Sequence, residues 1–300
     1  MEQKPKIIII CGPTATGKSD LAVKLALHVN GEIISADSRQ VYRGLSIGTG
    51  KITKKEMRGV PHYALDIADP KKIFTVSDFT SYAGRVTSAI LDSKKIPILC
   101  GGTGFYLQSF VKNTTLPNVP PDSALRKRLA GKSASELYTM LTWLDSKRAS
   151  TIDAQNPRRL IRAIEIAKHL GSVPPLTKNE EKYDSLWIGL TLPSDDLRKR
   201  IHKRLHTRID AGMITEAKKL HAKGLSWKRM EELGLEYRYL ARFLQKNITK
   251  NDMAEQLETA IYHYAKRQMT WFKKNTAITW FSPTDVSKIK KEISAFLKQK

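Results

Sequence analysis

A glycine-rich loop close to the amino terminus gives the strongest chemical signal in the sequence. The loop reads Gly12-Pro-Thr-Ala-Thr-Gly-Lys-Ser19 and fits the pattern G-x-x-x-x-G-K-[ST]. In such a loop the glycines allow backbone N–H groups to turn towards phosphate oxygens, the lysine adds a positive charge, and the serine hydroxyl can bind Mg²⁺. The pattern predicts a phosphate site, but it leaves open whether a nucleoside triphosphate or another pyrophosphate occupies it.

Two further loops carry polar residues that could act on a bound phosphate compound. Asp37 follows a predicted short strand at residues 32–35, and a Gly101-Gly-Thr-Gly104 turn follows the apolar run at residues 96–100. An aspartate in this position is often only a turn residue. Beside a phosphate loop, however, its carboxylate could take a proton from an acceptor. The sequence lacks the apolar strand ending in the aspartate that holds Mg²⁺ in ordinary P-loop NTPases, which disfavours that class.

The elements that must position these loops alternate between strands and helices. The apolar run at residues 6–11 and the segment at residues 96–100 predict buried strands, and residues 32–35 predict a second short strand. Apolar spacing predicts one helix directly after the phosphate loop and another over residues 77–91. This alternation predicts an α/β fold with a P-loop NTPase-like parallel sheet, whose ligands bind at the carboxyl ends of the strands. The three polar loops all follow strands and therefore share that edge.

The pattern changes after a proline-rich segment that ends at residue 121. Residues 122–170 have helical apolar spacing, and residues 186–192 are again typical of a strand. We therefore predict a helical insertion domain at residues 122–185. The predicted α/β catalytic core comprises residues 1–121 and 186–300, with carboxyl-terminal helices that include residues 195–209 and 254–272.

The composition excludes several classes of protein. Among 300 residues, 52 Lys and Arg face 29 Asp and Glu, so the net charge of +23 favours a polyanionic partner such as nucleic acid. No apolar run approaches the ~20 residues of a membrane span, and no signal peptide precedes the first strand. Two cysteines are too few for a disulfide framework or a four-cysteine metal site. We therefore expect a cytoplasmic protein that is not bound to membranes.

Together with these loops, further motifs make the sequence similar to the tRNA dimethylallyltransferases, the bacterial tRNA isopentenyl transferases. The resemblance extends from residue 7 to about residue 281. Residues 233–238 depart from the bacterial pattern, and the cysteines of the zinc finger found in eukaryotic members are missing. The additional matching segments are Asp37-Ser-Arg-Gln-Val-Tyr42, Ile47-Gly-Thr-Gly-Lys51, Val60-Pro-His-Tyr63, Asn156-Pro-Arg-Arg-Leu-Ile-Arg162 and Tyr264-Ala-Lys-Arg-Gln-Met-Thr-Trp-Phe272.

The resemblance implies a P-loop prenyltransferase. Such an enzyme transfers a dimethylallyl group from dimethylallyl diphosphate to N6 of adenosine 37 in tRNAs that read codons starting with U, and diphosphate leaves. On this interpretation the phosphate loop holds the diphosphate of the donor, although such a loop is habitually described as ATP-binding. The implied partner is the tRNA anticodon stem-loop, gripped by the helical insertion. Because one chain would hold the whole site, we expect a monomer.

The resemblance also implies roles for individual residues. Asp37 would be the general base, Thr103 and Lys18 would complete the catalytic set, and Ser19 would hold Mg²⁺. The implied donor-binding residues are Gly12, Thr14, Ala15, Thr16, Gly17, Lys18, Ser19 and Arg204. The implied tRNA-binding residues are Asp37, Ser38, Arg39, Gln40, Thr103, Arg126, Arg158, Arg159, Leu160, Ile161 and Arg162.

Three alternatives share part of this pattern. An adenylate isopentenyltransferase of the cytokinin type uses the same loop and donor, but it needs neither a helical insertion nor a basic surface. A P-loop kinase acting on a small metabolite would consume ATP and use arginine lids. A nucleotide-gated RNA-binding protein without catalysis would leave Asp37 and Thr103 without a function.

Overall fold

The computed structural model describes residues 4–175 and 177–299 of the chain. No helix in these two ranges combines the length and the apolar composition that crossing a bilayer requires. The described strands are β1 (Lys6–Cys11), β2 (Gly31–Ser35), β3 (His62–Tyr63), β4 (Ile96–Gly101), β5 (Thr114–Thr115), β6 (Thr177–Lys178), β7 (Asp184–Leu190) and β8 (Ile278–Phe281). The described helices are α1 (Lys18–Val29), α2 (Lys54–Met57), α3 (Val76–Asp92), α4 (Gly104–Val111), α5 (Ser123–Leu129), α6 (Ala134–Leu144), α7 (Ser146–Ala149), α8 (Pro157–Leu170), α9 (Ser194–Asp210), α10 (Met213–Ala222), α11 (Trp227–Leu233), α12 (Leu235–Leu244), α13 (Lys250–Phe272) and α14 (Val286–Lys298).

Six strands form a parallel sheet in the order β3-β2-β4-β1-β7-β8. The central strand β1 pairs with β4 on one side and with β7 on the other, so that Ile8 lies opposite both Ile98 and Leu186. A central strand covered on both faces needs apolar side chains on both, which explains its unbroken isoleucine run. The predicted α/β fold class and the strands β1, β2, β4 and β7 are confirmed. The two edge strands, β3 and β8, were not predicted, and both are short.

Alternate side chains of β1 point to opposite faces of the sheet and build two separate cores. Ile7 and Ile9 pack in one core with Phe79 of α3, which begins at a capping box formed by Thr75 and Asp78. Ile8 and Ile10 pack in the other core with apolar residues of α1 and α14. A third core joins α9 and α10 to α11–α13. The predicted helices at residues 77–91, 195–209 and 254–272 correspond to α3, α9 and α13.

The chain divides into two compact units. The core unit comprises the residues up to 112 together with those from 181 onward, and the insertion unit comprises residues 113–180. The insertion unit contains α5–α8, whose facing sides bury residues such as Leu137, Leu160 and Ile164. Asn156 caps α8 through its side chain, and Pro157 occupies the first turn, where a missing N–H costs little.

The boundaries of the insertion differ from the predicted 122–185. At its base, β5 pairs antiparallel with β6, so residues 113–121 belong to the insertion unit. At the other end, Asp184 and Ser185 already pair with β1 in the main sheet, so residues 181–185 belong to the core unit. The sequence signal was misleading because the proline-rich segment lies inside the insertion rather than at its edge.

Candidate active site

The phosphate loop connects the end of β1 to the start of α1. Gly12 has a φ of +133°, and a Cβ at this position would clash with the carbonyl oxygen of Leu190, so only glycine fits. Within the loop, the Thr16 hydroxyl donates to the carbonyl oxygen of Pro13 at 2.9 Å. The Lys18 ammonium donates to the same carbonyl at 2.6 Å. These bonds hold the loop in a curve at the carboxyl edge of the sheet.

A pocket with a cavity volume of about 80 Å³ lies at this edge. The phosphate loop contributes Thr14, Lys18 and Ser19 to the wall of the pocket, and the β2 loop contributes Asp37 and Gln40. The helix α9 contributes Arg204, which the sequence analysis predicted as a donor-binding residue. Apolar and polar residues complete the wall of the pocket. Those additional lining residues are Ala22, Ile33, Ser35, Thr49, Ile52, His62, Cys100, Gly101, Gly102, Tyr264 and Gln268.

The charge of Lys18 is the main electrostatic feature of the pocket. Burial lowers the pKa of Lys18 to about 8, and the nearby Arg204 guanidinium also lowers it. Cys100 and Asp37 act in the opposite direction but do not compensate for the loss of solvent. A desolvated ammonium gains strongly from an anionic ligand, because the ligand restores the stabilisation that water no longer provides. The site therefore favours an anion at this position.

Asp37 combines a turn-forming oxygen with a free one. Its Oδ1 accepts hydrogen bonds from the backbone N–H of Arg39 at 2.8 Å and of Gln40 at 3.3 Å. Its Oδ2 has no hydrogen-bond partner among residues 4–175 and 177–299. Asp37 therefore shapes the β2 loop, as the turn interpretation expected, and it also lines the pocket. Its second carboxylate oxygen is not committed to another group of the described residues.

Thr103 joins the β2 loop to the loop that follows β4. Its Oγ1 accepts a hydrogen bond from the backbone N–H of Ser38 at 3.1 Å, and its own backbone N–H donates to the carbonyl of Ala36 at 3.1 Å. Thr103 is thus bonded to Ser38, the residue that directly follows Asp37 in the sequence. Two of the predicted catalytic residues, Asp37 and Thr103, therefore lie close together. The structure brings the three predicted loops together at one edge.

The segment after β2 is anchored by Glu216, a residue for which the sequence predicted no function. Its carboxylate accepts from three successive backbone N–H groups, those of Ser46 at 3.0 Å, Ile47 at 2.7 Å and Gly48 at 2.9 Å. The Tyr237 hydroxyl donates to the same carboxylate at 2.7 Å. Only the packing of α10 and α12 against this segment brings these groups together.

The anchored segment supports two predicted site residues. Arg204 donates from Nη2 to the carbonyl of Gly50 at 3.0 Å. Gln40 donates from Nε2 to the carbonyls of Thr49 at 3.4 Å and Gly50 at 3.5 Å. Because both side chains bind the same turn, Arg204 and the β2 loop are positioned relative to each other.

Gln268 of α13 is a second residue of the site that the sequence analysis left without a role. Its Oε1 accepts from the backbone N–H of Thr14 at 2.8 Å, and its Nε2 donates to the carbonyl of Gly102 at 2.8 Å. The side chain is buried and lines the pocket. It therefore fixes the phosphate loop against the β4 loop. Its place in the segment from Tyr264 to Phe272 was the only available signal.

In the insertion unit, two of the predicted tRNA-binding arginines are engaged within the protein. Glu165, whose side chain is 1% exposed, accepts from Arg126 Nε and Nη2 at 2.8 Å each and from Arg162 Nη1 at 2.6 Å. The backbone N–H of Asp122 also donates to it, and Arg162 donates to the carbonyl of Val119. Burial favours a higher pKa for Glu165, but these hydrogen bonds outweigh it and hold the pKa below its usual range.

The other predicted residues of α8 differ in exposure. Leu160 is fully buried in the insertion core, so its side chain has no exposed surface, and its assignment to the tRNA-binding set stays a prediction. Ile161 is half-buried against the same core. Arg158 and Arg159 are exposed, and Arg159 lies 4.0 Å from Asp153. The side chains of these two arginines therefore lie at the surface of the insertion unit.

The chain is similar to known proteins along most of its length. The model of the IPP transferase family matches residues 40–275. The chain is 42% identical over 287 residues to tRNA dimethylallyltransferase 2 of Citrifermentans bemidjiense, covering 93% of this chain and 91% of that protein. It is 39% identical over 306 residues to the tRNA dimethylallyltransferase of Halalkalibacterium halodurans, covering 98% and 97%. The chain belongs to the IPP transferase family.

Solved structures agree with this assignment. The full-length tRNA isopentenylpyrophosphate transferase from Bacillus halodurans has a TM-score of 0.75 and 35% identity, covering 98% of this chain and 97% of that chain. A eukaryotic dimethylallyltransferase acting on tRNA has a TM-score of 0.76 and 27% identity, covering 89% of this chain and 70% of that chain. The predicted family and the predicted transferase class are confirmed.

The pocket of this IPP transferase contains a hydroxyl oxygen that is suited to bind Mg²⁺, the ion that the phosphate-loop motif implies. Ser19 lines the pocket beside Lys18, and its hydroxyl has no hydrogen-bond partner among residues 4–175 and 177–299. Mg²⁺ commonly binds through one or two protein oxygens, with water and substrate phosphates as its other ligands. The free hydroxyl of Ser19 fits this requirement.

Proposed function

We propose that this IPP transferase moves a dimethylallyl group from dimethylallyl diphosphate to N6 of adenosine 37 in tRNAs that read codons starting with U. Diphosphate is the second product. The proposal depends above all on one observation, that the Asp37 carboxylate and the Lys18 ammonium line the same pocket. One group suits a proton-bearing acceptor, and the other suits an anionic leaving group.

The donor has a charged end and an apolar end, and the pocket wall has both characters. Lys18, Arg204 and the loop N–H groups support binding of the diphosphate. Ala22, Ile33 and Ile52 offer an apolar surface of the kind that a five-carbon prenyl chain requires. A P-loop nucleoside kinase would instead need room and polar groups for a base and a ribose.

Transfer requires a base, because an exocyclic adenine amine is a poor nucleophile. N6 forms a bond to the first carbon of the prenyl group while the bond from that carbon to the diphosphate oxygen breaks. The proton of N6 passes to Asp37, whose Oδ2 is free of other hydrogen bonds in the described residues. Thr103 holds the Asp37 loop in place through Ser38.

Negative charge builds on the leaving diphosphate as this bond breaks. Lys18 and Arg204 are the cations of the pocket, and preorganised cations stabilise such charge without reorganisation. Mg²⁺ bound through Ser19 would neutralise further charge on the diphosphate oxygens. The adenine base must turn out of the stacked anticodon loop to reach Asp37, as the target bases of other base-modifying enzymes do.

The proposed acceptor is the anticodon stem-loop of tRNA. The net charge of +23 supports a polyanionic partner, and the exposed Arg158 and Arg159 are the predicted contacts that remain free of buried partners. We infer a monomer acting in the cytoplasm, consistent with free thiols at Cys11 and Cys100.

Product mass tests the proposed reaction. The protein is incubated with dimethylallyl diphosphate, Mg²⁺ and an unmodified tRNA carrying adenosines 36 and 37, and the tRNA is digested to nucleosides. We expect one prenyl unit on adenosine 37 and none on a control tRNA with guanosine at that position. Prenylation of AMP instead would assign the protein to the cytokinin-type alternative. Consumption of ATP without prenyl transfer would assign it to the kinase alternative.

A further inference from the structure

Two histidines and a glutamate form a cluster on the surface of the core unit. His202 and His206 lie on α9, and Glu258 lies on α13. The Nδ1 of His202 is 2.8 Å from Oε2 of Glu258, and the two imidazole centroids are 4.4 Å apart. One ligand atom from each of the three side chains lies within 4.8 Å of the other two.

The spacing of these residues suits metal binding. His202 and His206 are four positions apart on one helix, so their rings project from the same face. The carboxylate comes from the neighbouring helix, and the two helices are held together by a buried core that includes Ile201, Leu205 and Leu257. The backbones that carry the ligands are therefore fixed, and only side-chain rotations are needed to bring the three donor atoms closer.

We propose that His202, His206 and Glu258 bind a divalent transition-metal ion of the Zn²⁺ type. Imidazole nitrogen is a preferred ligand for zinc, copper and nickel, and two histidines with one glutamate form a known three-ligand zinc set whose fourth position is open to water. Zinc would take the place of the contact between His202 Nδ1 and the Glu258 carboxylate. Solvent reaches the cluster, because the side chains of His202 and Glu258 are 60% and 34% exposed.

The local charges permit a cation. Two neutral imidazoles and one carboxylate give the ligand set a charge of −1. Arg198, four positions before His202 on α9, and Lys266, eight positions after Glu258 on α13, are both held over the ring of Tyr262, at 3.9 Å and 5.3 Å from its centroid. This arrangement keeps two of the neighbouring positive charges on an aromatic face rather than on the carboxylate.

Binding at this cluster would connect two helices that also serve the pocket. The helix α9 carries Arg204, and α13 carries Gln268. An ion bound by both helices stabilises the folded state over the unfolded state, because the three ligands are assembled only by folding. The site is distinct from the Mg²⁺ position proposed at Ser19, and it does not depend on the proposed reaction.

Metal titration tests the site. Chain without an affinity tag is freed of metal with EDTA and titrated with Co²⁺, followed by its visible d–d absorption, and Zn²⁺ binding is measured by equilibrium dialysis. We expect a ligand-field spectrum with nitrogen and oxygen ligands, and a melting temperature that rises on adding Zn²⁺. His202→Ala, His206→Ala and Glu258→Gln should each raise the dissociation constant at least about tenfold.

His263→Ala is the matched control, because His263 is exposed on α13 but lies outside the cluster. Its zinc affinity should equal that of the unaltered chain. Circular dichroism in the absence of metal shows whether each variant is folded. The proposal is overturned if the double variant His202→Ala/His206→Ala binds Zn²⁺ as well as the unaltered chain. It is also overturned if Zn²⁺ gives neither saturable binding nor a rise in melting temperature, in which case the cluster is only a surface ion pair.

Discussion

The backbone N–H of Thr14 donates to Oε1 of Gln268 at 2.8 Å, across 254 positions of the chain. One N–H group of the phosphate loop is therefore committed to the protein itself. Nε2 of the same Gln268 side chain donates to the carbonyl of Gly102. A single buried side chain therefore sets the distance between the loop after β1 and the loop after β4. The shape of the pocket at the phosphate loop thus depends on a helix near the carboxyl terminus.

We expect Gln268→Ala to lower stability and weaken donor binding together. The substitution leaves the N–H of Thr14 and the carbonyl of Gly102 without their partner, which costs about 1–3 kcal/mol of unfolding free energy. Because the loop is then less well fixed, KM for dimethylallyl diphosphate should rise. Urea unfolding and initial-rate kinetics measure the two effects. Gln256→Ala, an exposed change on the same helix, should alter neither. Equal stability and KM in both variants would contradict the proposed clamp.

The two roles of Asp37 can be separated with a pair of variants. Asp37→Asn retains an Oδ1 acceptor for the N–H groups of Arg39 and Gln40 but cannot take a proton. We expect its kcat to fall about 10²- to 10⁴-fold while its tRNA affinity stays near that of the unaltered enzyme. Asp37→Ala removes both the turn and the base. Single-turnover rates and tRNA binding measure the outcomes. Loss of tRNA binding in the asparagine variant without a slower chemical step would rule out the general-base role.

Donor affinity should fall as the pH rises above about 8. Burial lowers the pKa of Lys18 to about 8 in the free protein, so its ammonium is charged at neutral pH and loses its proton above that pH. Because an anionic ligand binds the charged form, KM for the donor should rise by up to about tenfold per pH unit in that range. Lys18→Arg keeps its charge, so its KM should be flat from pH 7 to 10, although higher overall. A flat profile in the unaltered enzyme would contradict this prediction.

Glu165 should contribute to the stability of the insertion unit at neutral pH. Its pKa is held below the usual range by Arg126 and Arg162, so its contribution is full above the pKa of the unfolded state and is lost as the pH falls through the lower folded-state pKa. We expect Glu165→Ala to lower the free energy of unfolding by about 1–3 kcal/mol at pH 7. The loss stays moderate because both arginines are half-exposed and regain water. Under acid conditions the loss should be smaller, because the contribution of Glu165 is then already reduced. Urea unfolding at pH 7 and pH 3 measures this.

A matched control for Glu165 is Arg128→Ala, which changes an exposed arginine of α5. Its unfolding free energy should stay within about 0.5 kcal/mol of the unaltered chain. If Glu165→Ala is equally mild at pH 7, the pairs at Glu165 are not a significant source of stability.

The sequence by itself predicted what depends on neighbours along the chain. The isoleucine run of β1, the glycines of the phosphate loop and the helix that follows are local patterns, because strand burial, positive φ angles and helix periodicity each involve a few consecutive residues. Placing Asp37 at the edge of the sheet followed from the rule that parallel strands end together. The family resemblance added the roles of Thr103 and Arg204.

The tertiary structure decided which distant groups meet. Three contacts join parts of the chain whose local sequence carries no sign of the partner. They are the hydrogen bond from Thr14 to Gln268, those from the N–H groups of residues 46–48 to Glu216, and the ion pairs of Glu165 with two arginines. Leu160 shows the same limit in another way, because a matching motif predicted only that its segment contacts tRNA, and packing placed its side chain in a core. Helix packing selects these contacts through the shapes of buried surfaces, and short-range periodicity does not record them.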